Sequence, residues 1–203
     1  MSGLHSIDSE DPLALFDSWL KLAAESEPND ANAVALATST ADGVPSVRMV
    51  LAKRVGDRRF CFFTNAESQK GAQIAENPRA ALCFHWKSLR RQVRVEGTVS
   101  ELDASDVDAY FHSRSRMSQI GAAVSDQSRV LGSREELEER ARRFGEDHPG
   151  EIPRPLYWGG FEIDPARIEF WINGDYRLHD RFLFTRQGQD AQGGVWKIDR
   201  LFP

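Results

Sequence analysis

Short strand-like segments follow one another along most of this chain, and that succession constrains the fold more than any other feature. The clearest segment is 91–102, where Val93, Val95 and Val99 alternate with polar residues, as in a strand with one buried face. About eight short strands are predicted, among them 33–40, 80–86, 158–163, 167–172, 181–185 and 195–201. Because strands follow strands, the pattern predicts a mainly β (α+β) chain, an antiparallel barrel or sandwich with helices at its margins.

A few helices are predicted at these margins. Asp11 and Pro12 suit the cap and the first position of a helix that continues to about Glu25. Residues 103–118 also have a helical pattern, and a charged helix over 133–144 begins with a capping-box pattern. We expect residues 1–10 to form a flexible arm and residues 11–203 to form a single domain.

Composition excludes several classes of function. The net charge of −5 argues against a nucleic-acid binder, so any anion site must be a local concentration of Arg and Lys. No apolar run approaches the roughly 18 residues of a membrane span. The N-terminus has no signal-like pattern, and Cys61 and Cys83 lie in apolar segments, which indicates buried thiols in a reducing cytoplasm.

The stretch from residue 45 to residue 71 reads as a hairpin followed by a helix start. Its first strand reaches Val55, residues 56–57 suit a tight turn, and the second strand, 60–63, is apolar on both faces. Thr64 and Glu67 fit a capping box that would open the helix.

Cations within this stretch suggest a phosphate site. Arg48 and Lys53 lie in the first strand, and Lys70 lies in the first turns of the helix, where the helix dipole disfavours a cation unless an anion binds there. Arg48 and Lys53 are separated by five positions, so a regular strand would place them on opposite faces. The alternative is that all three are solvated charges on an exposed hairpin.

A second polar cluster lies in the predicted helix over 103–118. Tyr110, Arg114 and Ser118 are four residues apart, so one continuous helix would align them on one face, where they would suit an oxyanion such as phosphate. The alternative is a helix-end cluster that pairs with nearby carboxylates. Residues Gln127 and Ser128 follow in a loop and are uninformative alone.

A third cluster follows the Asn-Gly pair at 173–174, a strong hairpin-turn signal. Arg177, His179 and Arg181 then alternate, so a strand would place all three on one face, with Trp171 just across the turn. The alternative is an exposed edge strand that carries charge to block aggregation. The three clusters together suit a phosphorylated aromatic cofactor and a phosphorylated substrate, whereas dinucleotide, P-loop and metal-ligand patterns are absent.

At these positions the sequence resembles the pyridoxamine 5′-phosphate oxidase family. The resemblance rests on R-x-V-L-x-K (48–53), F-T-N-x-x-S-x-K (63–70), R-R-Q-V (90–93), Y-F-H-S-R (110–114), S-Q-I-G (118–121), Q-S (127–128), W-G-G-F (158–161), E-F-W and R-L-H-D-R-F (169–182), and the ending W-K-I-D-R-L-x-P. It runs in order from about residue 11 to residue 203.

The resemblance implies an antiparallel FMN-binding split β-barrel with flanking helices, and a homodimer with FMN at the subunit interface. It implies oxidation of pyridoxamine or pyridoxine 5′-phosphate to pyridoxal 5′-phosphate, with O2 as acceptor and H2O2 as product. The implied FMN contacts are Arg48, Met49, Val50, Leu51, Ala52, Lys53, Phe63, Thr64, Gln69, Lys70, Gln92, Gln127, Ser128, Trp171 and Arg181. The implied substrate contacts are Lys53, Tyr110, Arg114, Ser118, Arg177 and His179, of which Arg177 and His179 would face the reacting ring as candidate catalytic residues.

Two positions depart from the family pattern. Gln69 stands where the family usually has Arg, which predicts weaker FMN binding, and the residues before Asp11 are acidic where many members carry a basic arm. Two other readings stay open: a related FMN oxidase acting on another ring, as in phenazine biosynthesis, and a non-catalytic protein that binds flavin or pyridoxal phosphate.

Overall fold

A computed structural model describes residue 7, residues 9–188 and residues 194–203 of the chain. Nine strands of this part form one sheet, in which all neighbouring strands run antiparallel. The elements are α1 (Pro12–Ser26), β1 (Ala33–Ser39), β2 (Pro45–Leu51), β3 (Lys53–Val55), β4 (Arg58–Asn65), α2 (Gln69–Glu76), β5 (Arg79–Trp86), β6 (Arg91–Glu101), α3 (Ala104–Ser113), α4 (Arg116–Val124), α5 (Arg134–Asp147), β7 (Trp158–Ile172), a 3₁₀ turn (Asp175–Arg177), β8 (Asp180–Gly188) and β9 (Val195–Leu201). The predicted mainly β class with marginal helices is confirmed.

The longest strand, β7, organises the sheet because it has three neighbours. One edge of β7 pairs with β6. The other edge pairs with β4 over residues 158–162 and with β8 over residues 167–172, so the sheet divides at this strand. The sequence predicts two separate strands here, over 158–163 and 167–172. The chain keeps one because Pro165 lies opposite Gly97, where a register shift accommodates a residue without an N–H.

One face of the sheet is buried under α1. Phe16 of that helix meets Phe60 and Phe84 edge to face, with ring centroids 4.8 and 5.0 Å apart. Trp19 meets Phe170 in the same way at 5.0 Å. Such aromatic contacts add to the free energy of burying the side chains, so they fix α1 on the sheet.

The opposite face, which we call the outer face, carries partly exposed residues at alternate positions of β1, β2, β5, β6, β7 and β8. On the edge strand β2 it shows large aliphatic side chains, with Val47 68% exposed, Met49 64% and Leu51 44%. The small residues of β1 and β5 follow, and then charged residues of β6 and β7. An apolar edge strand that stays open favours pairing with another chain.

The predicted helix starts at two places are confirmed. The Asp11 side chain accepts a hydrogen bond from the amide of Leu13 at 2.8 Å, and the Ser133 hydroxyl accepts one from the amide of Glu136 at 3.2 Å. The predicted tight turn at residues 56–57 is also confirmed, because Val55 pairs with Arg58 across it.

Three predicted elements are wrong in detail. The strand predicted to reach Val55 breaks at Ala52, where the chain leaves β1 as a partner and joins β4. The helix predicted over 103–118 breaks before α4, which Ser115 caps. The Asn-Gly pair does not form a tight hairpin turn, because the chain first makes a 3₁₀ turn with positive φ at Tyr176 and Arg177.

The prediction of two buried thiols is confirmed for Cys61, whereas Cys83 is only partly buried. Both thiols are free. Burial, with the charge of Glu162 nearby, raises the pKa of Cys61 to about 11, so this thiol stays protonated. No helix among the described residues has the length and apolar character to cross a bilayer. Most of the predicted arm, residues 1–6 and residue 8, lies outside the described residues.

Candidate functional site

A cavity of about 760 Å³ opens where β2, β4, the start of α2 and the helix pair α3–α4 meet. The residues that line it are Val47, Arg48, Met49, Val50, Leu51, Phe63, Thr64, Gln69, Lys70, Tyr110, Arg114, Ser115, Ser118, Gln127, Ser128 and Trp158. Three of them are cations and none is a carboxylate. In a chain of net charge −5, this local excess of positive charge favours an anionic ligand.

Lys70 is the most deeply buried of these cations, with 7% of its surface exposed. Its ammonium donates to the hydroxyls of Thr64 and Ser68, each at 3.1 Å, and to Oε1 of Gln127 at 2.8 Å. Burial, and then the charge of Arg48, lower the pKa of Lys70 to about 8. A buried ammonium whose hydrogen-bond partners are neutral is short of a counterion, which an anion in the cavity would supply.

Arg48 is held in place by the protein itself. Its guanidinium donates to the Thr38 hydroxyl at 2.6 Å, the Ser46 hydroxyl at 2.7 Å and the carbonyl of Leu36 at 3.2 Å. The side chain of Gln73 in α2 accepts from the same two hydroxyls. Burial lowers the pKa of Arg48. None of these partners carries a charge, so the guanidinium adds a fixed positive charge to the cavity wall.

The local sequence explains why α2 starts beside the cavity. The cap is Ser68, not the predicted Thr64–Glu67 pair, because Thr64 is committed to β4. At Gly71 a side chain would overlap the carbonyl of Ala66, so only glycine allows the helix to start this close to the strand end. This close packing keeps Lys70 at the cavity.

Aromatic rings form a second wall. The rings of Phe63 and Tyr110 stack at 3.9 Å between centroids, and Trp158 lies parallel to Phe63 at 5.5 Å. The Arg114 guanidinium sits 5.1 Å from the Trp158 ring centroid. Its Nη1 is buried and has no hydrogen-bond partner among the described residues, and burial lowers the pKa of Arg114. An unsatisfied buried donor on a cation is costly, so this nitrogen is suited to a ligand oxygen.

The structure brings Tyr110, Arg114 and Ser118 together, although by another route than predicted. They do not share one helix face, because the chain turns at Arg114 and Ser115 between α3 and α4. The Ser115 and Ser118 hydroxyls lie 2.8 Å apart at the start of α4 and both line the cavity. The side-chain amide of Gln119 donates through Nε2 to the Arg114 carbonyl at 2.8 Å and fixes the turn.

Lys53 lies beside this cavity rather than in its lining. Its ammonium is 5.8 Å from the centroid of the Tyr110 ring. The break at Ala52 removes the strict alternation that would have kept Lys53 and Arg48 on opposite faces of one strand. Ala52 itself is buried, and its amide donates to the carbonyl of Asn32.

The remaining predicted residues form a separate group on the outer face. Gln92 lies opposite Trp171, and Trp171 lies opposite Arg181, so the three form a row across β6, β7 and β8. None of them lines the cavity. The prediction that Arg177 and His179 share a strand face with Arg181 is wrong, because β8 begins only at Asp180 and both residues lie in the loop before it.

His179 still lies next to the row. Its ring is 4.6 Å from the Trp171 ring, and its Nδ1 accepts a hydrogen bond from the amide of Gly174 at 3.1 Å. In the neutral imidazole this places the proton on Nε2, which is then the donor. Arg177 is exposed in the left-handed region, with φ of 66°.

Sequence reasoning missed Glu169, the counterion of Arg181. Its buried carboxylate accepts from Nε and Nη2 of Arg181 at 2.8 and 3.0 Å and from Arg94 at 3.3 Å. Nη1 of Arg181 donates to the carbonyl of Phe202 at 2.9 Å. With its charge compensated in this way, Arg181 is better suited to donate to a neutral acceptor than to neutralise a phosphate. The signal in the sequence that could have identified Glu169 is its position two residues before Trp171, because residues two apart in a strand lie on the same face.

Comparisons with known proteins agree along the whole chain. A family model described as pyridoxamine 5′-phosphate oxidase matches residues 20–146, and one described as pyridoxine 5′-phosphate oxidase C-terminal dimerisation region matches residues 158–203. The pyridoxine/pyridoxamine 5′-phosphate oxidase of Gluconobacter oxydans is 53% identical, with all of both chains covered. The enzyme of that name from Maricaulis maris is 54% identical over 97% of this chain and 87% of its own.

Solved structures show the same fold. PhzG from Burkholderia lata, in complex with tetrahydrophenazine-1-carboxylic acid, has a TM-score of 0.87 and 30% identity over 97% of this chain and 94% of its own. A pyridoxamine 5′-phosphate oxidase-related, FMN-binding protein from Nostoc punctiforme has a TM-score of 0.75 at 17% identity and covers 98% of this chain and 100% of its own. The fold is thus the predicted split barrel, and the chain belongs to the pyridoxamine 5′-phosphate oxidase family.

Proposed function

We propose that this protein is an FMN-dependent oxidase that converts pyridoxamine or pyridoxine 5′-phosphate to pyridoxal 5′-phosphate in the cytoplasm, with O2 as acceptor and H2O2 as product. The observation that carries the proposal is the cavity with Arg48, Lys70 and Arg114 and no carboxylate in its lining. Family membership and relatives 53–54% identical support the same reaction.

The α2 side of the cavity fits the FMN phosphate. Lys70 lacks a charged partner, and the hydroxyl of Thr64 and the amide of Gln127 surround its ammonium. The neighbouring Ser128, at a φ of 76°, and Gln69 complete this end of the lining. The β2 backbone from Arg48 to Leu51 would then run beside the flavin, since amide groups of an edge strand remain free to bind a planar ring.

The α4 side fits the phosphate of the substrate. Arg114 offers an unpartnered buried donor, and Ser118 and Tyr110 offer hydroxyls beside it. Lys53 adds a charge close to the Tyr110 ring. Unphosphorylated pyridoxine would leave the Arg114 guanidinium without an acceptor, so the site should discriminate strongly against pyridoxine.

FMN, when bound, supplies the two-electron oxidation chemistry and passes the electrons to O2. The residues of the chain position the reactants and exclude water. Phe63, Tyr110 and Trp158 form an apolar wall of stacked rings, and we assign one phosphate to Lys70 and the other to Arg114. His179, with a free Nε2–H, and Arg177 are the donors we assign to the substrate ring.

Those two donors and the row Gln92–Trp171–Arg181 lie outside the cavity of their own chain, which points to a second copy. We propose a homodimer in which the outer face of one copy covers the cavity of the other, with FMN at the interface. The open β2 edge with Val47 and Met49 borders the cavity, and the row belongs to the same face. The match of residues 158–203 to a dimerisation region supports this arrangement. Within each copy, we treat residues 11–203 as one domain because all nine described strands share one sheet.

A turnover assay tests the reaction. The purified protein is loaded with FMN and mixed with pyridoxine 5′-phosphate, pyridoxamine 5′-phosphate or unphosphorylated pyridoxine, and H2O2 and pyridoxal 5′-phosphate are measured. We expect both products in equal amounts from the phosphorylated substrates and little from pyridoxine. Flavin binding without turnover of any of the three would contradict the proposed reaction and leave a carrier or an oxidase of another ring.

A mixing experiment tests the shared site. Lys70→Met damages the cavity and Arg181→Ala damages the row, so each variant alone should hold little FMN at limiting concentration. If the site is shared, dimers that combine one chain of each kind keep one intact site, and equal co-expression should recover about a quarter of wild-type FMN loading. If each site lies within one chain, no intact site forms and nothing is recovered.

A further inference from the structure

The row on the outer face has a fourth member that none of the motifs includes. His85 of β5 lies directly opposite Gln92, which lies opposite Trp171 and then Arg181. Directly opposed residues of antiparallel strands point to the same face, so the four side chains form one line across four strands. Adjacent strands are about 4.8 Å apart, and the row therefore spans roughly 14 Å.

His85 also differs from the other described histidines in its contacts. His179 accepts from the Gly174 amide, His148 contacts the Phe144 carbonyl, and His112 lies 3.1 Å from Glu151. The His85 imidazole is exposed and has no hydrogen-bond partner among the described residues, and neither has the side-chain amide of Gln92 beside it.

The surroundings of His85 make an ordinary solvated histidine a poor explanation. β5 is an interior strand of the sheet, between β1 and β6, and its other outer-face residues towards the strand centre are the small Cys83 and Ala81. His85 is thus the last polar side chain of the row before the apolar part of the outer face begins. A single hydrogen-bonding group at that boundary suits a ligand that is part apolar and part polar.

We propose that His85 is a further cofactor-contacting residue, which hydrogen-bonds a polar atom of the flavin ring held in the cavity of the second copy. The proposal rests on the proposed function, in which the row of one copy faces the cavity of the other.

The test compares His85→Leu, which removes the hydrogen bond, with His85→Gln, which retains an amide donor and acceptor. Arg79→Gln is the matched control, because Arg79 is an exposed residue on the same face of β5, six positions and roughly 20 Å away. Gln92→Leu is the positive control for the row. FMN affinity, the visible spectrum of the bound flavin and the oligomeric state are measured for each.

We expect His85→Leu to weaken FMN binding about two- to tenfold and to shift the flavin absorbance, with the dimer intact. His85→Gln should lie near the wild type, and Arg79→Gln should match it. An unchanged affinity and spectrum in His85→Leu, while Gln92→Leu shifts both, would overturn this inference alone. Loss of the dimer without a change in the spectrum of the remaining bound flavin would also overturn it. If the wild-type protein binds no FMN, or if Gln92→Leu changes neither the FMN affinity nor the flavin spectrum, the proposed function of the row is wrong, and this inference falls with it.

Discussion

Replacing Lys70 by Met should weaken FMN binding, and the affinity of the variant for FMN should no longer fall as the pH rises above about 8. The ammonium of Lys70 is buried among neutral groups, and burial together with Arg48 lowers its pKa to about 8. A phosphate dianion favours the charged form, so FMN binding must raise this pKa. Above about pH 8 the free protein therefore takes up a proton when FMN binds, and affinity falls as pH rises.

The size of the effect follows from the same pKa. A charge-assisted hydrogen bond contributes about 1.5–3 kcal/mol, or roughly ten- to a hundredfold in affinity. If bound phosphate restores the ordinary pKa of lysine, the shift is about two units and the wild type should lose roughly a hundredfold between pH 7 and pH 10. Below pH 7.5 Lys70 is already charged in the free protein, so the affinity should be nearly constant there.

Flavin fluorescence gives the dissociation constant of FMN from pH 6.5 to pH 10. Riboflavin is the ligand control, because it lacks the phosphate and should not share the pH dependence. Lys87→Met removes an exposed lysine and is the protein control. The melting temperature of the FMN-free variants checks the fold. Wild-type affinity for FMN in Lys70→Met, or an equal pH slope in variant and wild type, would show that Lys70 does not bind the FMN phosphate.

Three further predictions concern single side chains. Arg114→Gln should keep FMN bound but raise KM for the phosphorylated substrate at least tenfold, and an unchanged KM would remove Arg114 from the substrate site. Gln69→Arg should tighten FMN binding severalfold, because the substitution adds a cation to the phosphate end of the cavity. Fluorescence titration measures the FMN affinity, and no gain would show that position 69 does not reach the phosphate. Arg177→Ala should keep the flavin and lose tenfold or more in kcat/KM, whereas Arg181→Ala should release flavin first, and the reverse order would contradict their placement.

Local signals in the sequence predicted the elements that depend on local contacts. The caps at Asp11 and Ser133 and the turn at residues 56–57 follow from side-chain and backbone preferences within a few residues. Competing local signals gave the errors. Thr64 looked like a cap, but its backbone pairs with Gly159 in the sheet, and that pairing leaves Ser68 as the cap. Local propensity cannot show which of two candidates a distant strand will claim.

The composition of the site was predicted better than its geometry. Arg48 and Lys70 were identified as cations within or beside apolar segments, and Arg114 from its spacing with Tyr110 and Ser118. Their convergence depends on the sheet and on the turn at Ser115. Glu169 and His85 were missed because their partners lie on neighbouring strands, and the register between strands is set by the whole sheet. Only the structure could show that Arg181 is already ion-paired.

Anaerobic mixing of the FMN-loaded protein with pyridoxine 5′-phosphate tests whether this protein oxidises the phosphorylated vitamin through its flavin. We expect that the flavin absorbance bleaches, that one pyridoxal 5′-phosphate forms per flavin, and that admitting air restores the yellow colour with release of H2O2. Unphosphorylated pyridoxine at the same concentration should leave the flavin oxidised, because Arg114 then lacks its anion. A flavin that stays oxidised with the phosphorylated substrate would rule out the proposed oxidase, and one that bleaches equally with both substrates would rule out the role of Arg114.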